Sequence, residues 1–335
     1  MDDLVSVIIV NYNGADFIEE CIESVISQSY TNWEIIVMDN NSTDGSIDLL
    51  KKYPFVQLIE SKENCGFAKG NNIAIEHSKG EFIALLNNDA KADPNWLESL
   101  LYNLKQNPQL GSCGCKIISY YDSQIMDSAG LLINISGMSR GRGRNESING
   151  YNTSERILIP SGCAVMYRRS ALNEVGLFDE DFFCYCEDTD LGFRLQLAGW
   201  ECFYVSEAVV YHRYSASAGK YSLFKTYLVE RNHYWFVIKN YPISLLLMNP
   251  IYTIKLYLFQ FFNILNEKSA ANELINHSKK KLVLTILKAH RDVWRSLFIM
   301  LRKRANINKL KKVDNKQIKG WIREYNISFS ELFKS

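Results

Sequence analysis

The chain is 335 residues long and 47% hydrophobic, with eight cysteines and a net charge of +1 at pH 7. That is more than one typical domain and ample apolar material for a core, which excludes a chain that stays unfolded and leaves one large or two smaller globular units. The balanced total hides an asymmetry: from residue 266 onward 17 Lys and Arg face 6 Asp and Glu, a net +11, so the first 265 residues carry −10. With an acidic body, and few aromatics in the basic segment to stack on bases, nucleic acid is not an expected partner.

The opening Met1-Asp2-Asp3-Leu4 is acidic and runs directly into an apolar strand pattern, so no export signal is expected there. Val5 to Val10 is a β-branched run ending at Asn11-Tyr12-Asn13-Gly14, and Ala15 to Gln28 then carries apolar residues at helical spacing. The same alternation recurs as Trp33 to Met38 then Gly45 to Tyr53, Val56 to Ile59 then Phe67 to His77, and Phe82 to Leu86 then Asn95 to Gln106. Asp93 and Pro94 fit the N-cap and first position of the last of these helices. Strands alternating with helices of this length predict βαβ units with right-handed crossovers and a mostly parallel sheet. Two of the strand ends carry carboxylates, Asp39 and Asp89, and side chains at the C-terminal ends of parallel strands converge on the crevice where open α/β sheets bind ligands.

From Gly111 the pattern changes to short, irregular strands, with a Gly/Arg/Ser/Asn-rich stretch from Ser136 to Gly150 that predicts a mobile loop. A helix is expected after Glu187-Asp188-Thr189-Asp190, with Gly199 at its C′ position. Cys113-x-Cys115 and Cys184-x-Cys186 lack the CxxC or histidine partners of a zinc set, so reduced cytosolic thiols are expected. Beyond Tyr221 the pattern is helical. Tyr241 to Phe262 is the most apolar segment, but Pro242, Asn249, Pro250 and Lys255 interrupt it short of the about 20 apolar residues of a membrane span. Leu282 to Leu301 predicts one amphipathic helix bordered by Lys288, Arg291, Arg295 and Arg302-Lys303-Arg304. Such a helix either lies on an anionic bilayer or packs on the body or on a second subunit of a homodimer.

Five motifs occur in order: Ser6-Val-Ile-Ile-Val-Asn-Tyr-Asn13, Val37-Met-Asp-Asn-Asn-Ser-Thr-Asp-Gly-Ser46, Asn64-Cys-Gly-Phe-Ala-Lys-Gly-Asn-Asn72, Leu85-Leu-Asn-Asn-Asp89, and Gly176-Leu-Phe-Asp-Glu-Asp-Phe-Phe183 leading to Glu187-Asp-Thr-Asp-Leu191. In these motifs the chain resembles the family 2 glycosyltransferases, and among them the rhamnosyltransferase-type enzymes of bacterial surface-glycan assembly. Any one motif is weak, whereas five in sequence are specific. The resemblance implies the α/β GT-A fold of nucleotide-diphospho-sugar transferases, a Rossmann-like sheet with flanking helices followed by a C-terminal helical region. It implies a catalytic domain over 1–220, with a nucleotide-binding half at 1–110 and an acceptor half at 111–220. Residues 221–335 would then be the basic, membrane-proximal helical region.

The residues fit the roles that the resemblance implies. Asp39 would accept the N3–H of a uridine or thymidine base and Tyr12 would stack on it, while Asp44 is better placed than Asp39 to cap the following helix. Asn64 and Lys69 would reach phosphate or ribose at a helix start. Asn87-Asn88-Asp89 stands where the family has D-x-D; Asp89 and His212 would hold Mg²⁺ or Mn²⁺ with the donor diphosphate, and Asn88 would line the nucleotide site. Because asparagine replaces the first aspartate, metal affinity should rest largely on the nucleotide. Asp188 would be the general base on the acceptor hydroxyl, with Glu187 orienting acceptor or loop and Asp190 capping the helix. Crowded carboxylates would raise the pKa of Asp188 and a helix N-terminus would lower it. Gly162 matches the family's small residue beside the donor sugar.

The implied activity is inverting, metal-dependent transfer of a hexose, with dTDP-rhamnose or a UDP-hexose as donor, to a glycan or lipid-linked acceptor. The implied location is the cytoplasm, with peripheral contact to the inner face of the cell membrane. The missing first aspartate motivates one alternative, a scaffold that binds the nucleotide sugar without catalysis.

Overall fold

The computed structural model describes residues 3–213, 222–265 and 279–332, which fall into two compact units. The first unit draws on Met1–Leu131, Gly141–Gln196 and Trp200–Ser217; the second on Leu132–Arg140, Leu197–Gly199 and Ala218–Ser335.

The first unit alternates strand and helix as its periodicity requires: β1 (Val5–Asn11), α1 (Ile18–Ile26), β2 (Trp33–Asp39), α2 (Ser46–Leu50), β3 (Val56–Glu60), α3 (Gly66–Glu76), β4 (Phe82–Leu86), β5 (Ala90–Ala92) and α4 (Trp96–Gln106). The chain continues through β6 (Leu110–Ser119), β7 (Met126–Ser128), β8 (Leu131–Ile133) and β9 (Ser139–Gly141), of which 132–140 fall in the second unit, then β10 (Glu155–Ile157), β11 (Ala164–Arg168), α5 (Arg169–Val175), α6 (Glu187–Leu197) and β12 (Glu201–His212). All but β8 and β9 join one sheet whose main path runs β10-β12-β6-β11-β4-β1-β2-β3, with β5 on β12 and β7 on β6. The half built by βαβ units, β4-β1-β2-β3, is parallel throughout; beyond β4 the sheet is mixed, because β11 enters antiparallel between β4 and β6. β1 and β4 are buried along nearly their whole length, which is why β4 reads as an unbroken apolar run and β1 as one interrupted only by Ser6 before Asn11, rather than as alternating patterns.

Helix ends depart from expectation in one place. The start of α4 is held by Gln28, whose Oε1 accepts from Leu97 N at 2.9 Å, while the Asp93 carboxylate reaches only Asn95 N at 3.2 Å. At the other end of the unit Gly199 has φ +83°, the left-handed C′ geometry expected after α6. The Ser136–Gly150 stretch is not the mobile loop that its composition suggests. It contains β9 and a 3-10 turn at Ile148–Tyr151, and its arginines are committed: Arg142 Nε donates to Ala129 O (3.0 Å) and its guanidinium lies over the Tyr204 ring. Arginine and glycine here serve packing against a neighbouring strand, a use that composition does not distinguish from solvation.

The second unit is helical: α7 (Leu223–Asn240), α8 (Ile243–Leu265), α9 (Lys279–Arg295), α10 (Leu297–Leu310) and α11 (Asn315–Glu324). The β8–β9 hairpin tip belongs to it, tied in by Tyr241 Oη donating to Asn134 O (3.2 Å) and Asn134 Nδ2 to Ile327 O (2.6 Å). The expected single helix over Leu282–Leu301 is broken at Ser296, whose hydroxyl donates back to Asp292 O (2.7 Å) and accepts from Trp235 Nε1 (2.6 Å). A serine that bonds the preceding turn competes with helix continuation. The break divides the apolar side: Val293 and Met300 are buried, whereas Val283, Leu287, Trp294 and Phe298 are exposed. Helix α8 is inverted in the same sense, with Asn249 and Thr253 buried and Ile243, Leu247, Ile251, Ile254 and Leu258 exposed. Among the described residues no helix is long and apolar enough to cross a membrane.

Candidate active site

The parallel register puts Asn11 and Asp39 side by side at the ends of β1 and β2, and β4 delivers Asn87-Asn88-Asp89 next to them. Asn11, fully buried, links all three. Its Nδ2 donates to Asp39 Oδ2 (2.8 Å) and Ser46 Oγ (2.9 Å), and its Oδ1 accepts from Asn88 Nδ2 (2.9 Å). Gly14 gives this bond its space: a Cβ there would lie 2.3 Å from Asn11 Oδ1 and 2.5 Å from Asn88 Nδ2. Asp39 is itself fully buried, its second oxygen accepting from Ser42 N at 2.8 Å. A carboxylate has further lone pairs, so these bonds fix it without exhausting it. Asp44 performs the capping expected of it, accepting from Ser46 N (3.1 Å) and Ala15 N (2.7 Å). Tyr12, which follows Asn11 directly in the chain, is 40% exposed.

The start of α3 forms the next wall. Asn64 Oδ1 accepts from Gly66 N (2.9 Å), and Lys69 lies half-buried on the first turns. Gly66 has φ +85° and packs so closely on Phe183 that a Cβ would sit 2.5 Å from its carbonyl oxygen, which accepts from Ala68 N (3.1 Å). Phe183, Tyr185 and Cys186 all hold positive φ, between 65° and 70°. Bulky residues adopt that region only under tertiary constraint, and such strain gathers at functional sites. This strained segment ends directly at Glu187 and Asp188.

Asp188 opens α6, half-buried, with Oδ2 accepting from Gly162 N (3.0 Å) and Oδ1 from Thr189 N (2.7 Å). Burial pushes its carboxyl above the usual aspartate range despite these bonds, so desolvation outweighs the helix start. Glu187 is buried with Oε2 lacking a hydrogen-bond partner, and burial together with the Asp188 charge raises it well above its usual range. Two adjacent carboxyls thus differ in kind: Asp188 keeps hydrogen bonds that suit an anion, while burial disfavours the charge on Glu187. Asp190 is not a helix cap or an acceptor contact. Fully buried, it pairs with Arg194 Nε (2.9 Å), and Arg194 in turn donates to the carbonyls of Val175, Gly176 and Leu177. Gly162 touches Asp188 directly, since a Cβ would come 3.0 Å from the Asp188 Cβ.

Strand pairing assembles the remaining pair. β12 runs antiparallel to β5 in the register His212↔Ala90, which sets the imidazole beside Asp89, with Nε2 3.2 Å from Asp89 Oδ1. The two are joined to Asp188 by one dipeptide: Gly162 N bonds Asp188, and the carbonyl of Cys163 accepts from Asn87 N (2.8 Å). Asp89 and His212 are thus linked to Asp188 through the Gly162-Cys163 backbone. His212 is held well above its usual range; burial opposes its charge, but Cys163 and the carboxylates Asp127 and Asp89 outweigh it. Asp127, which accepts from Nδ1 at 2.6 Å, lies outside the five motifs, and Asn11, although within the first, gives no sign there of being a hub. Their roles depend on pairings between distant strands, for which the sequence carries no local signal. Asn72 does fall in a motif, and anchors the strained loop through Phe178 O (2.9 Å) and Glu180 Oε1 (3.1 Å).

Among the described residues no three His, Cys, Asp or Glu side chains are arranged to hold an ion by themselves. Asp89 and His212 present one carboxylate and one imidazole side by side, two ligands to which a divalent ion would need others, such as diphosphate oxygens, added.

The model of glycosyl transferase family 2 matches residues 6–176. The chain is 30% identical over 244 residues to the N-acetylglucosaminyl-diphospho-decaprenol L-rhamnosyltransferase of Mycobacterium tuberculosis, spanning 66% of this chain and 79% of that one. In fold it is similar to a mannosyltransferase from Pyrobaculum calidifontis in complex with GDP-Man and Mn²⁺ (TM-score 0.53, 19% identity, 94% of this chain and 87% of that one). It is also similar to GalNAc-T7 with UDP, GalNAc and Mn²⁺ (TM-score 0.59, 17% identity), covering 70% of this chain and 48% of that one.

Proposed function

The chain belongs to glycosyl transferase family 2 and is a glycosyltransferase of GT-A fold; from that premise we propose that it is an inverting, metal-dependent hexosyltransferase using dTDP-rhamnose. The single observation that carries this reading is the convergence of Asp89, His212 and Asp188 through Gly162-Cys163 at the ends of β4, β11 and β12.

Asp39 and Tyr12 hold the pyrimidine base, with Asn64 and Lys69 at the ribose and phosphates. Asp89 and His212 hold Mg²⁺ or Mn²⁺, which supplies charge neutralisation to the departing diphosphate when bound. Asp188 takes the proton of the acceptor hydroxyl, and burial, by raising its pKa, makes its carboxylate a better proton acceptor than an ordinary aspartate. The rhamnose reading follows the mycobacterial relative, as does a lipid-linked acceptor. The exposed apolar residues of α9 and α10, with their basic borders, suit a peripheral position at an anionic membrane where such an acceptor resides.

The test is incubation with Mn²⁺ or Mg²⁺ and a panel of sugar nucleotides, following nucleoside diphosphate release. Turnover with dTDP-rhamnose should depend on the ion, and Asp89→Ala and Asp188→Asn should each lower kcat by about 100-fold or more. Retained turnover in either variant would defeat the role assigned to that residue; tight nucleotide binding with no turnover on any donor would favour the scaffold alternative.

A further inference from the structure

The Met126–Ser128 strand and the loop that follows β9 meet behind His212, on the side of the ring away from Asp89. β7 pairs with β6 through Ile118↔Met126 and Ile117↔Ser128, and β6 pairs with β12 through Ser119↔His212, so two successive registers bring Asp127 to the imidazole. Asp127 is buried, accepts from His212 Nδ1 at 2.6 Å, and is gripped on its other oxygen by Arg144 NH2 at 2.5 Å. Arg144 comes from the Gly/Arg-rich stretch that composition assigns to a loose loop. Nothing else in the proposed chemistry uses either residue.

From this arrangement we propose that Asp127, clamped by Arg144, is the positioning residue that readies His212 to ligate the metal. The two ring nitrogens of an imidazole point in divergent directions. With Nδ1 engaged by Asp127, Nε2 faces Asp89. Asp127 therefore lies on the far side of the ring from the ion and cannot share it with Asp89. Its bond keeps the proton on Nδ1, so the nitrogen whose lone pair becomes available is Nε2, and it fixes the ring plane. Arg144, paired with the other oxygen of Asp127, holds that carboxylate in its orientation toward the ring. The clamp also offsets a weakness of this chain: with Asn87 in place of an acidic residue, the protein offers one carboxylate and one imidazole to the ion, so the alignment of the imidazole counts for more.

This inference rests on the metal-dependent reading, and the experiment separates the two. Mn²⁺ is titrated into the full chain by electron paramagnetic resonance with dTDP saturating, and nucleotide affinity without metal is measured alongside. Asp127→Ala should weaken Mn²⁺ binding by roughly 10- to 100-fold, Asp127→Asn by less because its amide oxygen still accepts from Nδ1, and Arg144→Gln by an intermediate factor. Metal-free dTDP affinity should stay unchanged. If the alanine variant does not fold, the asparagine and Arg144→Gln variants carry the same comparison. Wild-type protein that binds no Mn²⁺ with dTDP overturns both readings; wild-type binding matched by the variants overturns the positioning role alone.

Discussion

Gly162 illustrates how one residue position admits two physical roles with separable consequences. Its family match points to room for the donor sugar, whereas the geometry gives it a closer neighbour, Asp188, which accepts its N–H and stands 3.0 Å from where a Cβ would be. Gly162→Ala should therefore lower kcat by about 10- to 100-fold, through displacement of the base, with the KM for the sugar nucleotide little changed. A raised donor KM at constant kcat would return the glycine to the sugar. The neighbouring carboxyls make a second, pH-dependent expectation. Burial raises both Glu187 and Asp188 in the folded state, so the native protein binds these protons more tightly than the unfolded chain does. The stability they contribute is complete below the unfolded carboxylate range and is lost as pH rises through their folded values. Glu187→Gln removes the larger part of that loss. Its melting temperature should gain on the wild type as pH is raised from about 5 to about 8, by thermal unfolding in a pH series. A constant difference across the series would mean that Glu187 is ionised in the native state. The acid limb of kcat/KM should likewise lie above the ordinary aspartate range, because Asp188 must be ionised to act as a base.

Elements were legible where their cause is local. The βαβ half of the sheet follows from period-2 and period-3.6 apolar patterns, and the carboxylates at strand ends follow from where those runs stop: Asp39 closes β2 beside Asn11, and Asp89 follows β4 with His212 3.2 Å away. What local pattern could not contain are contacts made by pairing of distant segments. Arg142 and Arg144 look like loop residues until β7 and β12 are placed beside them, Ser296 breaks α9 from α10 through a bond to Trp235, and Asn11 becomes a hub only once β2 and β4 flank β1. Asp190 is the instructive error, since its place in an acidic motif suggested chemistry but its partner four residues on makes it a buried ion pair. The same dependence on distant pairing governs the start of α3. Gly66 combines φ +85° with a 2.5 Å approach to the Phe183 carbonyl, so Gly66→Ala faces both left-handed strain and a backbone clash. It should cost more than about 1 kcal/mol of stability by denaturant unfolding and raise the donor KM, since Asn64 and Lys69 ride on the same turn. A variant with wild-type stability and KM would show that the α3 start and the strained loop are not coupled.

At the scale of the whole molecule the governing fact is segregation of charge and apolar surface in the second unit. Residues 279–310 carry ten Lys and Arg and one Asp. On α9 the exposed residues Lys280, Val283, Leu287, Arg291 and Trp294 fall at helical spacing on one face, and Phe298, 83% exposed, follows on α10. A monomer in water gains nothing from an aromatic and aliphatic stripe edged with cations, whereas an anionic bilayer accepts both: rings and aliphatics at the acyl boundary, basic side chains at the headgroups, each worth about 1 kcal/mol near the surface. Within the basic cluster Arg304 also serves the fold, as its guanidinium donates to Ile238 O (2.8 Å). The protein should therefore cosediment with vesicles containing phosphatidylglycerol, bind phosphatidylcholine vesicles poorly, and release as salt is raised past the range where exposed charges are screened. Trp294 emission should shift to the blue on binding, a shift absent from Trp294→Phe. Leu287→Asp with Phe298→Asp should abolish cosedimentation while leaving nucleoside diphosphate release on a soluble acceptor intact, because neither residue belongs to the nucleotide site. Concentration-dependent dimerisation lost in the same double variant, with no vesicle binding by the wild type, would instead make this face a contact between two copies of the chain.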